Sequence, residues 1–147
     1  METELAGTIL AQSPDAIIFA GTDGMVAYWN AAATRIFGHS EADAMGQSLD
    51  IIIPEQFREA HWKAYDIALA NGATKYGGRA LATRATRQDG TTIYVELSFS
   101  IVRRDGIGEA LGAMACARDI NERFESDRAM RRELRELRAA QKAPAGH

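Results

Sequence analysis

This sequence predicts an α+β domain: a five-stranded antiparallel sheet with short helices on one face, one helix leading in and a longer one leading out. Three observations carry that expectation. Two β-rich runs flank an Asp-Gly turn near the start, short capped helices fill the middle, and three strand-like stretches close the body. At 147 residues the chain has the length of one domain, enough to bury a core and too little for two comfortable ones. The two end helices are therefore appendages to a single unit.

Residues 1–12 set Leu5, Ile9 and Leu10 at helical spacing, and Ser13-Pro14-Asp15 breaks the pattern, so a short amphipathic helix is expected there. In "AIIFAGTDGMVAYWN" the Asp23-Gly24 pair supplies the positive φ of a tight hairpin turn, giving an antiparallel strand pair. Asn30 can cap "AAATRIFG", which Gly38 stops, and Ser40 with Asp43 makes a weaker capping box for one turn ending near Gly46.

After "LDIII", Pro54 suits a first helical turn, and the expected helix runs from 54 to about 70, where Asn71-Gly72 ends it. Phe57, His61, Ala64, Tyr65 and Ala68 share its apolar stripe, so His61 faces inward. Three strands are then expected at about 78–87, 91–103 and 109–118, their alternation giving one buried and one exposed face.

From Asn121 to Lys142 glycine and proline vanish and Arg, Glu, Leu and Ala dominate, a strong helix signal. Met130, Leu134 and Leu137 have the 4-3 spacing of a coiled-coil seam, while Ile120 and Phe124 stand at another heptad phase. The seam is short, so a solvated terminal helix is the alternative. The domain reading is a lead-in helix at 1–12, a folded body at 13–119, a terminal helix suited to pairing with a second copy at 120–142 and a disordered tail at 143–147.

Composition narrows the function. The net charge is −3 and the basic residues are scattered until residue 123, which gives no face for nucleic acid. The single cysteine, Cys116, excludes an internal disulfide and points to a reducing cytoplasm. No apolar run approaches the roughly 20 residues of a membrane span, and "METELAG" lacks the regions of a signal peptide. With no Ser-His-Asp or Cys-His constellation, phosphate-cradling loop or recognisable carboxylate pair, enzyme activity is not expected.

Three stretches carry a resemblance. "SPDAIIFAGTDGMVAYWNAAATRIFGHSEADAMGQSL", "QDGTTIYVELSFSIV" and "ACARDINERFE" resemble, in order and spacing, a PAS domain of the S-box type over roughly residues 13–124. That family implies a sensory or docking module whose sheet and helices enclose a ligand pocket, without itself naming the ligand. Within it, "PEQFREAH" is similar to the helix of the haem-binding PAS domains of bacterial oxygen sensors, which have a ligating histidine in a P-x-x-x-R-x-x-H context. The resemblance makes His61 the iron ligand and sets Leu97 and Phe99 over the distal side of the haem; Tyr65, on the same helical stripe as His61, is a further candidate cofactor contact. Those sensors hold oxygen with an arginine on the first late strand; an ungapped count brings that position to Leu81, with Arg79 two residues earlier on the same expected strand.

Each sharp reading has a bland counterpart. His61 could instead pack half-buried beside Phe57 and Tyr65. His39, at a helix end, is expected to be exposed, and Trp29, Trp62 and Tyr65 suit packing as well as cofactor contact. Flavin is a competing cofactor, yet no cysteine occurs before 116, which argues against a light-driven thiol adduct. Two classes of function remain: a haem sensor of a diatomic gas or redox state that signals through the terminal helix, and a cofactor-free or small-ligand module that forms a homodimer or docks a partner.

Overall fold

Pro14 stops the first helix where the sequence implies: in the computed structural model, which describes residues 1–75 and 77–142, α1 (Glu2–Gln12) buries none of its side chains. The tail expected at 143–147 lies outside the described residues, as does the side chain of Phe124. Asp23-Gly24 turns β1 (Ala16–Gly21) into β2 (Val26–Trp29). Gly24 takes φ 78° and Asp23 Oδ1 accepts from the Met25 N–H at 2.9 Å.

Asn30 caps α2 (Ala31–Phe37) by accepting from the Ala33 N–H, and Gly38 ends it in the left-handed conformation. Ser40 caps α3 (Glu41–Ala44) in the same way. Asn30 is also a keystone. It is 4% exposed, its Oδ1 accepts from Ile17 N–H as well as Ala33 N–H, and its Nδ2 donates to the Leu10 and Asp15 carbonyls. One side chain thus ties α1, β1 and α2 together.

The segment after α3 departs from the continuous helix expected from 54. Two 3₁₀ turns, Leu49–Ile52 and Glu55–Phe57, precede α4 (Arg58–Asn71). Pro54 has ψ 140°, an extended value that keeps it out of any helical turn. Arg58 is the physical reason: its guanidinium donates to the Ile53 carbonyl at 3.1 Å and the Asp50 carbonyl at 3.3 Å, folding the preceding chain back on the helix start.

β3 (Leu81–Thr86), β4 (Thr92–Arg103) and β5 (Ala110–Asp119) complete an antiparallel sheet of order β2-β1-β5-β4-β3. β3 starts three residues later than the sequence suggests. Gly77 and Gly78 take φ 59° and 81°, a left-handed pair that cannot be extended strand. Arg79 therefore precedes β3 rather than sharing a strand face with Leu81.

The core lies between the sheet and α2 to α4. From β1 and β5 it takes small residues, Ala16, Ala20, Ala113, Ala115 and Ala117, and from the helical layer Phe37, Leu49, Ile52 and Tyr65. Small inward side chains on central strands leave volume on the helical side of the sheet, and part of it stays unfilled. α5 (Asn121–Lys142) leaves the end of β5 with Met130, Leu134 and Leu137 exposed at 59%, 48% and 55%. Among the described residues no helix is long and apolar enough to cross a membrane.

Candidate functional site

The unfilled volume is a cleft between α4 and the β3–β4 half of the sheet, in two lobes that meet at His61. The wide lobe, 790 Å³, runs under Ala64, Ile67 and Ala68 of α4 and over Leu97, Phe99 and Ile101 of β4. The narrow lobe, 310 Å³, reaches the other way, toward Leu49, Ile52 and Phe37. His61, Thr83, Leu97 and Phe99 line both. Cavities of about 300–1,000 Å³ with mostly apolar walls and a few polar groups are the usual form of a small-molecule site.

α4 brings His61 here because its inward stripe repeats every three to four residues. The imidazole is half-buried, edge-on to Trp62 at 4.7 Å between ring centroids, 5.8 Å from Tyr65 and 6.1 Å from Phe99. Its Nδ1 is enclosed with no hydrogen-bond partner among the described residues, which leaves Nε2 as the nitrogen that can meet a ligand in the cleft. Burial lowers the His61 pKa, partly opposed by the Asp50 carboxylate. The ring is thus held toward its neutral form, the form with a lone pair to give a metal.

The other expected site residues divide into two groups. Leu97 and Phe99, alternate residues of β4, face His61 across the cleft. Leu81 pairs with Leu97 at the outer end of β3, is 40% exposed and lines the wide lobe. Arg79 also lines that lobe, exposed near its mouth with Lys75. Tyr65 borders the wide lobe too, but its hydroxyl donates to the Gly21 carbonyl at 2.6 Å. Burial pushes its pKa up to about 12, so it remains a phenol that clamps α4 to β1.

Two residues with a part in the site were not legible as such. Trp62 Nε1–H donates to Asp50 Oδ1 at 2.8 Å, and that same carboxylate is 4.0 Å from the Arg58 guanidinium. Trp62 therefore fixes one flank of His61 from a turn twelve positions earlier in the chain. The signal available in sequence was the Asp50…Arg58-x-x-x-Trp62 spacing, which has meaning only once the 3₁₀ turns are known. His39 differs from its expectation of exposure: it is half-buried, its ring 6.1 Å from that of Trp29, because Trp29 Nε1–H donates to the His39 carbonyl. Cys116 lies on β5 and lines neither lobe.

Among the described residues no three His, Cys, Asp or Glu side chains gather to hold a bare ion. A metal at His61 would have to bring most of its ligands with it, as a porphyrin does. With a largely apolar bed, the His61 nitrogen and cations at the mouth, the wide lobe would suit such a group.

Comparison with known proteins agrees on the fold. The family model for the PAS fold matches residues 7–120. The chain is 32% identical over 105 residues to the sensor protein FixL of Bradyrhizobium diazoefficiens, covering 71% of this chain and 21% of that protein. It is 23% identical over 106 residues to the oxygen sensor protein DosP of Escherichia coli, covering 72% of this chain and 12% of that one. An uncharacterised protein of Azorhizobium caulinodans is 32% identical over 125 residues, 84% of this chain and 17% of its own length. The chain thus spans about a fifth or less of these relatives. Among solved structures, a PAS domain from Colwellia psychrerythraea superposes with a TM-score of 0.71 at 19% identity, over 83% of this chain and 99% of that one.

Proposed function

This chain belongs to the PAS family as a sensory domain, and from that premise we propose that it holds haem in its wide lobe through His61 and relays a gas or redox state to α5. The observation that carries the reading is the His61 imidazole itself: half-buried, kept toward neutrality, and set at the junction of a cleft whose walls beside it, Leu97 and Phe99, are apolar. The similarity to an oxygen sensor protein and to FixL supports the same choice.

Bound haem would supply an iron centre whose ligation answers to a diatomic gas or to redox potential. The chain's own groups do the rest. Trp62, held by Asp50, keeps the imidazole plane in place. Leu97, Phe99 and Ile101 of β4 exclude water on the facing side. Lys75 and Arg79 stand at the mouth, where they would offset the carboxylates of a porphyrin edge. Leu81, at the position the resemblance assigns to an oxygen-holding arginine, has no donor to offer; Arg79 is the cation near it, and its reach decides which gas is preferred.

The relay has a covalent and a hydrogen-bonded path. β4 carries the cleft residues Leu97 and Phe99, and three residues before Leu97 it carries Tyr94, whose carbonyl accepts from Ile120 N–H at 3.0 Å and whose N–H donates to Asn121 Oδ1 at 3.3 Å. Arg123 of α5 pairs with Glu96 at 3.0 Å. A shift of β4 is therefore felt at the root of α5. We read the domain as a non-enzymatic, cytoplasmic module working as a homodimer, with output to an attached segment or a partner protein. A colourless module taking another small ligand is the second reading, favoured by the extra room in the narrow lobe.

The test is an absorption spectrum of the purified protein before and after stoichiometric haemin, with His61→Ala alongside. A sharp Soret band present in the native protein and lost in the variant is expected. A band indifferent to His61, or none, overturns haem as the cofactor.

A further inference from the structure

A second polar path reaches α5, and it starts at α1 instead of the cleft. Arg118, near the end of β5, holds Asp15 with both arms of its guanidinium: Nε donates to Oδ1 at 3.1 Å and Nη2 to Oδ2 at 3.2 Å. Two parallel bonds of this kind fix direction as well as distance. Asp15 stands in the link between α1 and β1. Its carbonyl accepts from Asn30 Nδ2, and the same nitrogen donates to the Leu10 carbonyl in the last turn of α1.

On its other side Arg118 meets Glu96, its partner across the β4–β5 ladder, at a spacing where opposite charges attract. Asp15, by its hydrogen bond first, and then Glu96 raise the pKa of Arg118. Glu96 Oε2 in turn accepts from Arg123 Nη2 at 3.0 Å, in the first turn of α5. Polar contacts thus run from the end of α1 to the root of α5, and none of the residues that make them lines either lobe. Glu96 lies between Val95 and Leu97, whose side chains do line the cleft. Strand alternation therefore sends its carboxylate to the opposite face of the sheet.

The two arginines are largely exposed, at 66% and 62%, and exposed pairs add little to stability. Weak bonds make a poor clamp but suit an element with two arrangements, since a small input decides which of them is made. Arg123 stands seven residues before Met130, and Asp127 seven before Leu134. Both occupy the heptad positions of the seam, where charge opposes pairing. While Glu96 holds Arg123, the first turn of α5 belongs to the sheet and not to the seam.

We propose that Asp15, Arg118, Glu96 and Arg123 form a latch through which α1 sets how firmly α5 is rooted, so that the position of α1 reaches α5 by a route that bypasses the cleft. The proposal rests on the reading of α5 as the outgoing element; what the cleft holds does not enter.

Amide exchange of the cofactor-free protein, followed by NMR, is the test. Ile120, whose N–H donates to the Tyr94 carbonyl at 3.0 Å, reports the root of α5. Ala115, paired on both sides in the middle of β5, reports the body. Ala11→Pro is the perturbation: Ala11 is exposed, and proline there drives Leu10 out of the helical conformation, taking its carbonyl from Asn30. The Ile120 amide is expected to exchange about two- to fivefold faster, the scale of exposed ion pairs, with Ala115 unchanged. Arg118→Gln alone is expected to give the same rise and to leave the proline without further effect. An Ile120 rate unmoved by either substitution, or a rise from the proline equally large in the Arg118→Gln background, overturns the latch. If the proline quickens Ala115 as well, Ala11→Gly replaces it and is read by the same criteria. Because no haem is present, failure here leaves the His61 reading standing, and loss of the Soret band leaves the latch standing.

Discussion

At the residue scale, the burial of His61 has a thermodynamic signature. Its folded pKa lies below the ordinary 6.5, so between the two values the unfolded chain holds a proton that the folded chain does not. Stability contributed by the neutral ring is complete above 6.5 and is lost as pH falls through the folded value. Urea unfolding of the native protein and of His61→Leu across that window checks this: the native stability should climb more steeply with pH than that of the variant, and parallel curves would refute it. Tyr65 offers a contrast. Because its hydroxyl is a clamp on the Gly21 carbonyl, Tyr65→Phe should cost about 1 kcal/mol of stability while haemin titration leaves affinity nearly unchanged; a large loss of affinity with stability intact would make Tyr65 a cofactor contact instead. Asn30 shows what single-residue reading sees and misses. Its role as a cap is legible from its place before "AAATRIFG", but its bonds to Leu10, Asp15 and Ile17 depend on the chain returning, and no local pattern announces them.

At the element scale, what was legible is what is local. The hairpin, the Asn30 and Ser40 caps and the Gly38 stop are decided by neighbours in sequence, and they stand where the residues imply. The start of α4 was not legible, since it depends on Arg58 reaching back to two carbonyls, and the start of β3 was misjudged because Gly77 and Gly78 were taken for strand. Arg79 was placed on a strand face for the same reason. The cleft could be inferred only as a family property, because its volume comes from alanines on separate strands meeting α4. One contact holds α4 against the hairpin and makes an element-scale test. A Cβ at Gly24 would lie 2.4 Å from the Trp62 ring, at a backbone φ of +78°. Gly24→Ala must therefore move Trp62, and with it the flank of His61. Stability should fall by at least about 1 kcal/mol, with haemin affinity reduced and Trp fluorescence shifted to the red. A variant matching the native protein in both would show that Trp62 does not position the histidine.

At the scale of the whole molecule, α5 extends from the domain with its apolar stripe exposed. It is a 22-residue helix, about 33 Å long, rooted in the sheet through Ile120, Asn121 and the Arg123–Glu96 pair. An isolated helix of this kind is marginal in water, and an exposed Met130-Leu134-Leu137 stripe is a poor surface to leave wet. A second copy of the same stripe would bury all three, with the flanking Arg and Glu residues at the seam's edges. The seam is short, so the pairing should be weak and concentration-dependent rather than obligate. Truncation before residue 124 removes the stripe and leaves every residue lining the cleft in place. Light scattering over a concentration series should find the full chain in monomer–dimer exchange and the truncated chain monomeric, with haemin binding the same in both. If the truncated chain still dimerises, the contact lies on α1, where Leu5 and Ile9 are 60% and 59% exposed, or on the outer face of the sheet. In that event the signal leaving β4 would have to pass through the interface itself, and α5 would carry it onward without being the joint between copies.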